Sequence, residues 1–152
     1  MTDPTTRQVG GDHYLKLGMQ PFHFSLANGW DGGSHTILKY VSRHHNVPRD
    51  EAIESLRKAY HIVEIIEKAI AEDRFLNTAQ LMARHVQPMR ISVSEYCKLN
   101  ELGDLESKAL LYLALWLLDA PIRIETENVV PGPVMVKNAI EDILINRYGV
   151  TA

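Results

Sequence analysis

The feature that most constrains this chain is the run from Arg49 to Asp73, in which Ile53, Leu56, Tyr60, Val63, Ile66 and Ile70 recur at spacings of three and four. That periodicity gathers all six on one stripe of an α-helix. A helix of this length gains little from propensity alone and is stabilised by burying its apolar stripe against other elements. The opposite side carries Glu54 with Lys58 and Glu64 with Lys68, each pair four residues apart in the favourable order. Pro48 can open the helix, and the short Asn46-Val47-Pro48 link makes it the second arm of an antiparallel hairpin.

The rest of the chain reads as further helices. Pro21 to Asn28 forms a short one, with proline at its first position and Gly29 as its stop. The turn Trp30-Asp31-Gly32-Gly33-Ser34 leads into a helix from about His35 to His45, with Ser34 as N-cap. Leu76 to Val86 makes a short helix ended by Pro88. Ser92-Val93-Ser94-Glu95 is a capping box, starting a helix from Val93 to Leu102. Asp104 caps a helix from Leu105 to about Asp119 that is apolar on nearly all sides, which places it in the core or in a subunit interface. Ile122 and Ile124 allow one short edge strand. A last helix, Val134 to Tyr148, closes at Gly149. The predicted fold is all-α: a helical hairpin in the N-terminal half packed with a C-terminal helical bundle. Residues 1–8 are expected as a flexible tail, 9–73 as the functional region, and 74–152 as core and oligomer interface.

Charge and cysteine usage narrow the function classes. A net charge of −3 on 152 residues argues against general nucleic-acid binding, which calls for a strongly basic face. The single cysteine, Cys97, forms no internal disulfide and suits a reducing compartment. The first residues contain no apolar signal-peptide core, and the longest apolar run, Ala109 to Leu118, is far short of the roughly 18–20 residues that span a bilayer. A cytoplasmic protein with no membrane partner is the expectation.

Chemistry-bearing residues concentrate between Val9 and Ala71. A helix N-terminus at Ser34 offers unpaired N–H groups and the positive end of the dipole to an anion. Thr36, Lys39 and Arg43 then follow on one helical face, a hydroxyl, an ammonium and a guanidinium suited to phosphate oxygens. The alternative for the same residues is a capping serine and a solvated basic face. Glu54, Lys58 and His61 share a face of the next helix, near His44 and His45 if the hairpin closes. Gly11-Asp12-His13-Tyr14 places a histidine and a tyrosine in a glycine-rich loop. His13, His35, His44, His45 and His61 lack the H-E-x-x-H and paired-cysteine spacings of zinc sites, so no metal site is expected. Glu64 and Glu67 have no matching carboxylate pair on another helix. The Walker signature is absent, which excludes an ordinary P-loop kinase.

The ordered series Gly11-Asp12-His13-Tyr14, Met19-Gln20-Pro21-Phe22, Lys39-Tyr40-Val41-Ser42-Arg43 and Leu56-Arg57-Lys58-Ala59 resembles a bacteriophage and prophage domain family that includes the phage nucleotide kinase without a P-loop. The resemblance covers Val9 to Ile70. It implies a nucleotide or nucleoside monophosphate as ligand, and ATP with magnesium as cofactors if the protein is a kinase. The implied site residues are His13, Tyr14, Gln20, Lys39, Tyr40, Arg43 and Lys58. Ser34 and Thr36 join them as phosphate contacts, and Tyr14, Tyr40 or Trp30 would stack on the base. In the kinase reading Lys39 and Arg43 neutralise the transferred phosphoryl group and His13 orients the acceptor. Three positions depart from the family pattern: Thr36 stands for an asparagine, Ser55 for an acidic residue, and His44-His45-Asn46 for a basic residue. These departures keep two other readings open. One is a binder that sequesters a nucleotide or modulates a host enzyme in an anti-defence role. The other is a helical protein that acts through homo-oligomer contacts.

Overall fold

Proline at the first helical position and a glycine just past the last set the limits of helix α1, Pro21–Asn28. Gly29 takes the left-handed conformation with φ of 66°, and its N–H and that of Trp30 close onto the carbonyls of the last turn. The computed structural model describes residues 16–72, 89–118, 122–123 and 129–152, and in them the fold is all-α. The expected tail over 1–8, the loop with His13 and Tyr14, and the helix over 76–86 lie outside the described residues.

Helix α2 runs Gly32–Arg43 and begins three residues earlier than its sequence predicts. Asp31, not Ser34, is the N-cap. The Asp31 carboxylate accepts the Ser34 N–H at 3.0 Å and the Ser34 hydroxyl at 2.7 Å, so Ser34 lies buried inside the first turn. A 3₁₀ turn over His44–Asn46 leads to α3, Arg49–Glu72, which folds back along α2. The antiparallel sense is fixed at both ends of the pair. Arg43 at the end of α2 reaches Ser55 near the start of α3, and Gly33 at the start of α2 abuts Ile66 near the end of α3. A Cβ on Gly33 would sit 2.9 Å from the Ile66 methyl, so a larger residue there would push the end of that side chain aside.

The buried line of α3 is offset from the stripe of large residues. Ala52, Ser55, Leu56, Ala59 and Val63 are buried, whereas Ile53, Tyr60, Ile66 and Ile70 are only half-buried. The reason is that α3 packs on two sides, against α2 and against a C-terminal helix. Small residues at the crossing let both neighbours approach, and the large side chains flank the seam. Lys68 pairs with Glu72, while Glu64 takes His61 instead of Lys68.

Helix α4, Val93–Leu99, starts at the expected capping serine: Ser92 Oγ accepts the Glu95 N–H at 3.1 Å. It ends three residues early, in a turn where Glu101 adopts a positive φ of 52°. Helix α5 covers Asp104–Leu117; Gly103 holds the cap position and Asp104 is the first helical residue, not the cap. Ile122–Arg123 pairs antiparallel with Val129–Val130, a two-residue contact that realises the expected edge strand at Ile122. Helix α6, Gly132–Ile143, passes into a π-turn over Leu144–Tyr148, and Gly149 ends it at φ of 70°.

Helices α5 and α6 pack on each other and close the core over α2 and α3. Phe24, Tyr96, Leu110, Leu113 and Ile140 are fully or almost fully buried there. The Tyr96 hydroxyl donates to Ser42 Oγ at 2.7 Å, and Ser42 in turn donates to the Leu38 carbonyl, which satisfies both buried hydroxyls. Among the described residues no helix is long and apolar enough to cross a membrane.

Candidate functional site

The α2–α3 hairpin brings together four of the residues singled out in the sequence: Lys39, Tyr40, Arg43 and Lys58. Helical spacing places Lys39 Nζ 4.7 Å and Arg43 Cζ 5.0 Å from the Tyr40 ring centroid, so one ring faces two cations. Arg43 is largely buried, with 15% of its side chain exposed. Its Nη2 donates to Ser55 Oγ at 3.0 Å and lies 3.4 Å from Glu51 Oε1. Lys58 stands one turn further along α3, paired with Glu54 at 2.6 Å on an open surface. The Glu54 carboxyl is held below its usual range by the Lys58 hydrogen bond, then by the charges of Lys58 and Arg43. Lys58 is correspondingly raised by Glu54, with a smaller contribution from Tyr40. Two cations thus face one aromatic ring, with Lys58 nearby, and Glu51 and Glu54 pair with Arg43 and Lys58.

Other expected contacts fall elsewhere. The N-terminus of α2 is not open to an anion in this arrangement, because the Asp31 carboxylate occupies it. Thr36 Oγ1 donates to the Gly32 carbonyl at 2.7 Å, within its own helix. Gln20 sits at the start of α1, where its carbonyl accepts the N–H groups of His23 and Phe24. Trp30 packs edge-on against Phe24 at 5.0 Å, which holds it against the core. His35 leans on Ser25 Oγ, and burial, then the Lys39 charge, lowers its pKa. His61 pairs with exposed Glu64.

His44 and His45 do not join this face. The 3₁₀ turn carries them toward the C-terminal half, where His44 is buried between α5 and the π-turn. His44 Nε2 lies 3.0 Å from Glu106 Oε1, and Nδ1 lies 2.7 Å from the Tyr148 hydroxyl. A carboxylate only accepts, so Nε2 carries a proton; neutral His44 then accepts from Tyr148 at Nδ1. If His44 is charged, Nδ1–H donates to Tyr148, whose own proton turns to the His44 carbonyl at 3.3 Å. Either proton count leaves both ring nitrogens of His44 and the Tyr148 hydroxyl satisfied. Glu106 is 4% exposed. Burial alone would push its carboxyl up, but the His44 hydrogen bond, its own backbone N–H, and the charges of His44 and Arg147 bring it down to about 2. Burial, then the Glu106 charge, raises the Tyr148 phenol, which keeps it a neutral donor.

Sequence reasoning did not find this cluster. Glu106 and Tyr148 lie 62 and 104 positions from His44. The sequence held no signal for it: Glu106 stands with Asp104 in the first turn of α5, where acidic residues are ordinary. The cluster borders a cleft of about 350 Å³ whose rim includes His45, Leu102, Gly103 and Arg147. Burial, then the charges of His44 and Arg147, lowers the His45 pKa against the opposing pull of Glu106 and Glu101. No protein-family model, no curated protein and no solved structure matches this chain.

Proposed function

We propose that this is a phage protein that binds a nucleoside monophosphate on the cationic face of α2 and α3, and that it sequesters its ligand without turning it over. The observation that carries the reading is the arrangement at Tyr40, where Lys39 and Arg43 face one ring and Lys58 lies alongside. A phosphate would displace Glu54 from Lys58 at small cost, since that pair is exposed and such pairs contribute little. Arg43 would contribute a planar fork already held in place by Ser55. Ser55 also gives the departure from the family pattern a physical meaning. An acidic residue there would form an ion pair with Arg43, whereas a hydroxyl orients the guanidinium and leaves more of its charge for a ligand.

The competing reading is turnover with ATP and magnesium, which would form a nucleoside diphosphate. Calorimetry with the common ribo- and deoxynucleoside monophosphates tests the reading. Saturable binding that weakens roughly tenfold or more in Arg43→Ala supports it, with the ligand recovered unchanged after incubation with ATP and magnesium. Binding unaffected by Arg43→Ala would reject the site, and formation of a diphosphate would replace sequestration by kinase action.

Homo-oligomer contact through α5 is a second reading, favoured by Leu111 and Leu118, which are 47% and 43% exposed and one heptad apart on that helix. Sedimentation velocity of the wild type against Leu111→Glu tests it.

A further inference from the structure

Glu106 uses only one of its two oxygens. Oε1 faces His44 Nε2 at 3.0 Å and Arg147 Nε at 3.5 Å, whereas Oε2 is buried and meets no hydrogen-bond donor among the described residues. A buried carboxylate oxygen without a protein donor favours any ligand that brings one. Glu106 borders the cleft of about 350 Å³, a size within the range of small-ligand sites. Arg147 stands beside it on the same cleft with 49% of its side chain exposed.

Gly103 keeps these two groups within reach of the cleft. A Cβ at this position would lie 2.8 Å from Arg147 Nη2 and 2.9 Å from Glu106 Oε2, wedged against both. Its backbone is extended, so conformational freedom is not what the position requires; space is. The acceptor and the donor are therefore close neighbours, one buried and negative, the other half-exposed and positive. Their mutual contact is long for an ion pair, at 3.5 Å to Oε1.

We infer that this cleft is a binding site for a free α-amino acid, with its ammonium on Glu106 Oε2 and its carboxylate on the Arg147 guanidinium. An ammonium supplies the donor that Oε2 lacks, and a carboxylate replaces the charge that Arg147 gives up when it releases Glu106. The nearness of the two protein groups selects a ligand whose charges are separated by a single carbon. Leu102 and His45 on the cleft wall provide contact for the ligand side chain. The site is separate from the α2–α3 face and does not depend on nucleotide binding there.

The test is calorimetry on the full chain with the common α-amino acids, using methylamine and acetate as single-charge probes. At least one amino acid binds saturably, and methylamine and acetate each bind roughly tenfold more weakly or not at all. Arg147→Ala and Gly103→Ala each weaken amino-acid binding by roughly tenfold or more, the first by removing the carboxylate partner and the second by filling the approach. Arg147 is exposed, so this variant keeps its circular dichroism spectrum and remains a fair test even if Gly103→Ala disturbs folding. Absence of saturable binding by any amino acid overturns the proposal. Binding that both folded variants retain unchanged also overturns it, as does equal binding of methylamine or acetate.

Discussion

The α2–α3 face and the His44 cluster are built from the same residue types, yet burial separates what they do. On the hairpin face Lys58 and Glu54 are 53% and 63% exposed, and their pairing is screened by water. In the cluster His44 and Glu106 have side chains only 2% and 5% exposed, and each depends on its partners to offset lost hydration. An exposed pair can be opened by a ligand at little cost, which suits reversible phosphate binding. A buried set holds α2, α5 and the π-turn in register, and its removal is felt by the whole fold.

The sharpest break of this contrast is Glu106→Ala. It leaves buried His44 Nε2 without its acceptor and is expected to lower stability by about 3–5 kcal/mol in urea denaturation, with nucleotide affinity per folded molecule unchanged. A smaller loss follows for Tyr148→Phe, which removes the partner of His44 Nδ1 at 2.7 Å and is expected to cost about 1–3 kcal/mol. Acid titration sharpens the comparison without a mutation. The Glu106 carboxyl is lowered from an ordinary 4.5 to about 2 by its partners in the fold, so its stabilising contribution is complete above about 4.5 and is lost as pH falls toward 2. Glu106→Gln should flatten that part of the stability profile, and an unchanged acid limb would show that other carboxylates dominate. The smallest change in stability belongs to Lys58→Ala, within about 0.5 kcal/mol, because its ion pair with Glu54 is exposed. There the effect should appear as weaker nucleotide binding, measured by the same calorimetry.

The two regions also differ in how far they could be read in advance. Arg43 follows Lys39 by four residues and Tyr40 by three, so its nearness to both follows from helical geometry. Their joining with Lys58 needed only a short hairpin link, which the sequence displays. The N-cap falls at Asp31 and not at the expected Ser34, because the Asp31 carboxylate three residues upstream accepts the Ser34 N–H. The buried line of α3 was misread for a related reason. Large apolar residues mark the periodicity, but two neighbouring helices select Ala52, Ser55 and Ala59 for the closest contact.

What the sequence determined by itself was the helical class and most element limits, through signals that act over a few residues: Pro21 and Gly29 around α1, Ser92 before α4, Gly149 after the last turn. Only the tertiary structure decided that His44 leaves the basic face to meet Glu106 and Tyr148. No local rule links residues so far apart in the chain. Their meeting depends on how α2, α5 and α6 pack, and the burial produced by that packing is what turns three ordinary side chains into an interdependent set.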